Sequence, residues 1–103
     1  PTYLPDGAEL KNTVEQPEML AYEYAINESS YFNILLSKSD TRIYADAENT
    51  EIESFDKGGV IGYYFKKDDL NYICYERDGD FFSIYGSIDM DELIKIAAGI
   101  TTE

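Results

Sequence analysis

Five carboxylates fall between positions 46 and 56: Asp46, Glu48, Glu51, Glu53 and Asp56. A hard cation such as calcium takes about six to eight oxygen ligands, and acids so closely spaced are the residue type that supplies them. The run lacks the spacing and the central glycine of an EF-hand loop. A solvated acidic strand edge, which discourages edge-to-edge pairing, accounts for the same residues, and no bound metal is expected. Carboxylate pairs about 5 to 10 Å apart would suit glycoside hydrolysis. With 21 Asp and Glu in 103 residues, some pair reaches that distance by chance, and nothing in the order singles one out.

Other chemistries fall away by residue type. The chain contains no His, which removes Ser-His-Asp triads, Cys–His dyads and most zinc sites. Cys74 is the single cysteine, so no internal disulfide can form, and its apolar neighbours in "NYICYE" suggest a packed thiol in a strand. There is no GxGxxG and no Walker loop. "DKGGVIGYY" carries Gly58, Gly59 and Gly62 at the wrong spacing, and Gly62 inside a strand marks a bulge or a close backbone approach. Asn27-Glu28-Ser29 is a glycosylation triplet that matters only in a secreted eukaryotic protein. The expectation is a protein that is not an enzyme and holds no cofactor.

Aromatic side chains are the more informative set. Tyr63, Tyr64, Tyr72, Tyr75 and Tyr85, with Phe65, Phe81 and Phe82, crowd the C-terminal half at both strand parities. One helix covers one sheet face, so some of these rings lie in a second layer or in solvent. Exposed rings serve to bind a sugar, a peptide or a partner domain, whereas cross-strand packing uses the same rings with no ligand at all. The candidate binding residues are Tyr63, Tyr72, Tyr75, Phe81 and Tyr85.

The elements that position these rings are mostly strands. "PTYLPDGAELK" reads as a turn leading into a strand near 8–14. "MLAYEYAI" alternates, with Leu20, Tyr22, Tyr24 and Ile26 on one face, and "YFNILLSK" alternates after the polar loop "NESS", so the two predict a hairpin. "SDTRIYADAENTE" admits a loop, a short strand or one helical turn. Strands follow at "TEIESF", "VIGYYF", "LNYICYE" and "DFFSIYGSI", joined by "DKGG", "KKDD" and the strong hairpin dipeptide Asp78-Gly79. Phe82 and Ile84 share a parity with Ile88 and are expected on the helix side, leaving Phe81 and Tyr85 on the other. A helix closes the chain. Asp89 is its N-cap, Glu92 completes a capping box, and Ile88 and Leu93 form a hydrophobic staple. Leu93, Ile96, Ala97 and Ile100 make an apolar stripe, and Gly99 supplies a left-handed stop.

Length and charge bound the rest. One domain over 1–103 fits the chain, and 44% hydrophobic residues exclude a disordered composition. A net charge of −13, with 8 Lys and Arg, argues against nucleic acid and against anionic membrane surfaces. A basic partner stays open, and solubility alone also explains the acids. No membrane-spanning run or signal peptide is present, and the start at Pro1 suggests a piece of a longer protein.

Three stretches together resemble a known family. "PTYLPDGAEL" is similar to a "P-x-y-L-P-e-G-y-x-l" opening, "IESFDKGGVIGYYF" to "v-x-i-n-G-x-x-G-y-y", and "YICYERDGDFFSIYGSIDMDELIKIAAGI" to a strand, a glycine turn, an aromatic strand ending "i-x-G" and a helix "l-s-x-e-E-L-i-k-I-A-x-s-I". The combination resembles DUF4367, a bacterial domain of unknown function found mainly in Firmicutes. It often forms the extracytoplasmic C-terminal part of proteins with one membrane-spanning helix, and some members look like anti-sigma-factor or sporulation proteins. Where the pattern usually has Trp, this chain has Tyr75. The resemblance implies an outward-facing domain tethered to a membrane, and it carries over no catalytic residue.

These readings converge on an α+β fold: a curved antiparallel meander of about six strands with one C-terminal amphipathic helix packed on one face. The expected function is a non-enzymatic extracytoplasmic binding or sensing module that contacts another protein or a neighbouring domain. The alternative is a carrier holding a small apolar ligand between sheet and helix.

Overall fold

A computed structural model of the chain describes residues 4–17, 19–38, 51–57, 59–77 and 79–100. Seven strands form one antiparallel sheet: β1 (Glu9–Gln16), β2 (Met19–Ala25), β3 (Tyr31–Ser37), β4 (Glu53–Lys57), β5 (Val60–Lys67), β6 (Leu70–Arg77) and β7 (Asp80–Gly86). One helix, α1 (Met90–Ile100), follows. The fold is therefore α+β, and its seven strands match the seven strand segments read from the sequence, against an overall expectation of about six.

The strand order is β1-β2-β3-β7-β6-β5-β4. Two meanders, β1–β3 and β4–β7, meet where β3 pairs with β7, so the last strand is the central one. That join is non-local: Ile34 of β3 lies opposite Ile84 of β7, which lies opposite Ile73 of β6. All three are buried. The connection from β3 to the far edge strand β4 passes through 39–50, which lie outside the described residues, as does most of the ambiguous "SDTRIYADAENTE" segment.

Turn chemistry sets the second meander. The pairs Lys57–Val60, Lys67–Leu70 and Arg77–Asp80 each leave two residues in the turn. Gly59 and Gly79 supply the positive φ, at 83° and 85°. Asp68 and Asp69 do so without glycine, at φ 53° and 64°, the backbone of a type I′ hairpin. In the β2–β3 loop, Asn27 Oδ1 accepts from the backbone N–H groups of Ser29 and Ser30 at 2.8 and 2.9 Å. This Asx turn gives the glycosylation triplet a purely structural job.

Alternation sorts the side chains into two layers. On one face Tyr24, Phe32, Ile34, Phe55, Val60, Ile73, Tyr75 and Ile84 pack with Leu93, Ile94, Ile96 and Ala97 of α1. Gly62 belongs to this face because Tyr75 needs the space: a Cβ there would sit 2.3 Å from the Cys74 carbonyl oxygen and 2.9 Å from Tyr75 Cβ. The close approach expected at Gly62 is therefore real.

The helix begins as its sequence dictates. The Glu92 N–H donates to Asp89 Oδ1 at 3.0 Å, the N-cap bond, and Ile88 joins Leu93 in the core. Asn71 holds this end to the sheet. Its Oδ1 accepts from Tyr64 Oη at 2.9 Å and its Nδ2 donates to the Ile88 carbonyl at 2.9 Å. The helix end differs from expectation. Gly99 is helical and buried rather than left-handed, and the helix continues to Ile100. The apolar stripe runs through this last turn, so packing overrides the stop that glycine permits. Among the described residues no helix is long and apolar enough to cross a membrane.

Candidate functional site

The face opposite α1 holds the aromatic side chains that the core does not absorb. Phe82 and Ile84 point to the helix side and Phe81 and Tyr85 away from it, as strand parity requires. The five candidate rings separate into three environments. Tyr75 shares the parity of Ile73, is buried in the helix-side core and stacks on Phe82 with centroids 4.9 Å apart. Tyr72 lies on the second face yet is also buried, in the middle of a ladder. Phe65 and Tyr72 stack at 4.6 Å and Tyr72 and Tyr85 at 4.8 Å, both nearly parallel. Phe81 and Tyr85 are half-buried beside it. Tyr63 alone of the five is substantially exposed, at 48%.

Register explains the split. Phe65, Tyr72 and Tyr85 are directly opposite one another across β5, β6 and β7, so their rings cover each other. The α1 helix lies on the other face and adds nothing to this burial; Leu35, Leu70 and Phe81 pack against the ladder. Tyr63 faces Ser54 on β4 and Cys74 on β6, neighbours too small to cover a phenol ring.

Sequence reasoning missed the residue beside it. Ile61, two positions before Tyr63 on the same strand and face, is 71% exposed. Its cross-strand neighbour on β4 is Asp56, and on β6 Glu76 follows Tyr75, the partner of Gly62; both carboxylates are exposed. Glu76 in turn lies opposite Phe81. An apolar pair, Ile61 and Tyr63, thus stands at the open β4 side of the sheet with a carboxylate on either side. The signal was present as an outward parity in "VIGYYF", but β-branched residues read as core until the register is known.

Of the acidic run only Glu51, Glu53 and Asp56 lie among the described residues. Asp46 and Glu48 lie outside the described residues. Glu53 and Asp56 differ by three along β4 and so project to opposite faces. Glu51 and Glu53 line an open depression of about 230 Å³ with Tyr64, Phe65 and Lys66. Among the described residues no group of three or more His, Cys, Asp or Glu is placed to hold a metal ion. Cys74 is a buried thiol, its Sγ 3.9 Å from Ser83 Oγ.

Two further depressions are open to solvent. One of about 190 Å³ lies at the β1–β2 turn over Leu20 and Leu36, and one of about 340 Å³ lies between Lys11, Tyr24 and Tyr31. Neither lies between α1 and the sheet, where Ile73, Ile84, Leu93, Ile96 and Ala97 are fully buried.

The chain matches a family model, described as a domain of unknown function (DUF4367), over residues 1–100. It belongs to the DUF4367 family. No curated protein and no solved structure matches it.

Proposed function

We propose that this DUF4367 domain is a non-enzymatic interaction module whose contact surface is the β4–β6 part of the face opposite α1. One observation carries the reading: Ile61 and Tyr63 are neighbours on the outer face of β5 and are 71% and 48% exposed, while the Phe65, Tyr72 and Tyr85 rings beside them stack on one another. Isolated exposed apolar residues are ordinary, but a paired isoleucine and tyrosine with a charged rim is the make-up of a docking centre. The filled layer between helix and sheet favours this reading over the carrier for a small apolar ligand. A position outside a bacterial cell membrane, as part of a tethered protein, belongs to the same proposal and rests on the sequence resemblance.

The experiment is site-specific photo-crosslinking in the native host, with the reactive residue placed at Tyr63 of the full-length protein or at Glu28 on the β2–β3 loop. A partner captured at Tyr63 alone is identified, purified and titrated against the wild type and an Ile61→Ser/Tyr63→Ser variant that retains its circular dichroism spectrum. The expected result is at least about tenfold weaker binding by the variant. Equal capture at both positions, or unchanged affinity, overturns the surface.

A further inference from the structure

We propose that the partner surface that docks here is a cationic polypeptide segment bearing an apolar side chain, which sits on Ile61 and Tyr63 while its basic residues pair with Asp56 and Glu76. The inference rests on the interaction-module reading and names its partner class.

The charge layout selects that class. The outward positions of β4 to β7 next to the pair are Ser54, Asp56, Cys74, Glu76, Phe81 and Ser83, and none is basic; the base of the same parity on β5, Lys67, stands four positions beyond Tyr63 at the end of the strand. The nearest lysine on β4, Lys57, has the opposite parity and approaches Asp91 of α1 at 3.9 Å. Asp56 and Glu76 are exposed, and the rest of the molecule reinforces their potential, since the chain carries −13 overall. In such a field a basic segment is drawn in and an acidic one repelled.

The same field disfavours the other occupants. A second copy would bring a like-charged rim against Asp56 and Glu76 and add another −13. Anionic lipid and nucleic acid meet the same repulsion. A cation alone would leave Ile61 and Tyr63 in water, and a purely apolar partner would bury two carboxylates unpaired, which is costly. A segment alternating basic and apolar residues satisfies both features. In extended form it would repeat at about 6.8 Å, the spacing of Ile61 and Tyr63 along β5.

Titration of the intact domain with three labelled peptides tests this: alternating Lys/Leu, alternating Lys/Ser and alternating Glu/Leu. Fluorescence anisotropy at low salt should show binding of Lys/Leu, at least about tenfold weaker binding of Lys/Ser, and none of Glu/Leu. The Asp56→Asn/Glu76→Gln variant should lose at least about tenfold for Lys/Leu and show a flatter salt dependence. An equal neutralisation elsewhere, Glu23→Gln/Glu28→Gln, should leave the affinity within about twofold. Equal losses from both double variants would mean that net charge alone attracts the peptide and would overturn the proposal. Concentration-dependent dimerisation that Ile61→Ser abolishes would make a second copy the occupant and overturn it too. A crosslinked partner whose binding needs Ile61 and Tyr63 but ignores Asp56→Asn/Glu76→Gln defeats the cationic inference alone. Absence of any Tyr63-specific partner defeats the module reading itself.

Discussion

At the scale of single residues, the tyrosines differ by what lies across from each. Tyr24 packs parallel to Phe32 at 4.8 Å and is nearly inaccessible. Burial, and secondarily the neighbouring Tyr22, raises its pKa above the usual 10.0. The unfolded chain releases this proton at lower pH than the native state does. Its contribution is therefore complete below about pH 10 and is lost as pH rises through the higher native value. Tyr24→Phe should remove this part of the alkaline loss. Urea midpoints measured from pH 8 to 11 should fall less steeply above about pH 10 for the variant than for the wild type; parallel curves would refute the assignment. At the opposite extreme Tyr63, whose cross-strand neighbours are a serine and a cysteine, is 48% exposed. Composition alone cannot make that distinction.

At the scale of elements, the hairpins of β4–β7 are specified locally, and one of them is specified poorly. Gly59 and Gly79 take positive φ without penalty. Asp68 and Asp69 take it with a Cβ and with two adjacent carboxylates. Each left-handed non-glycine residue costs about 1 kcal/mol. Asp68→Asn/Asp69→Gly keeps the type I′ geometry with its preferred residues and should stabilise the domain by about 1 kcal/mol in urea unfolding. An unchanged midpoint would mean that the carboxylates contribute a compensating interaction. The helix start was equally legible, because an N-cap acts within one turn. Its end was not: Gly99 permits a stop but does not impose one, and the core that α1 packs against carries the helix on to Ile100.

At the scale of the whole molecule, a sheet of seven strands and one helix carries a large excess of acids. Ion pairs such as Lys11–Glu9 and Lys57–Asp91 are largely exposed, and each is worth little. Self-repulsion therefore sets the sign of the salt response. Raising sodium chloride from low to physiological concentration should stabilise the domain by about 1 kcal/mol, moving Tm up by roughly 4 to 8 °C. A falling Tm would show that specific pairs outweigh the net charge.

Local residue order and composition dictate the α+β class, the turns, the N-cap, the two parities of β7 and the absence of histidine chemistry. All but the last depend on residues within a few positions of one another. The sequence also carried the resemblance that the family match bears out. The tertiary structure decided the rest: the pairing of β3 with β7, the burial of Tyr72 and Tyr75, and the exposure of Ile61 beside Tyr63. Those outcomes depend on which strand lies next to which and in what register. That is settled by contacts such as Ile34 with Ile84, between residues far apart in the chain, and no local pattern encodes it.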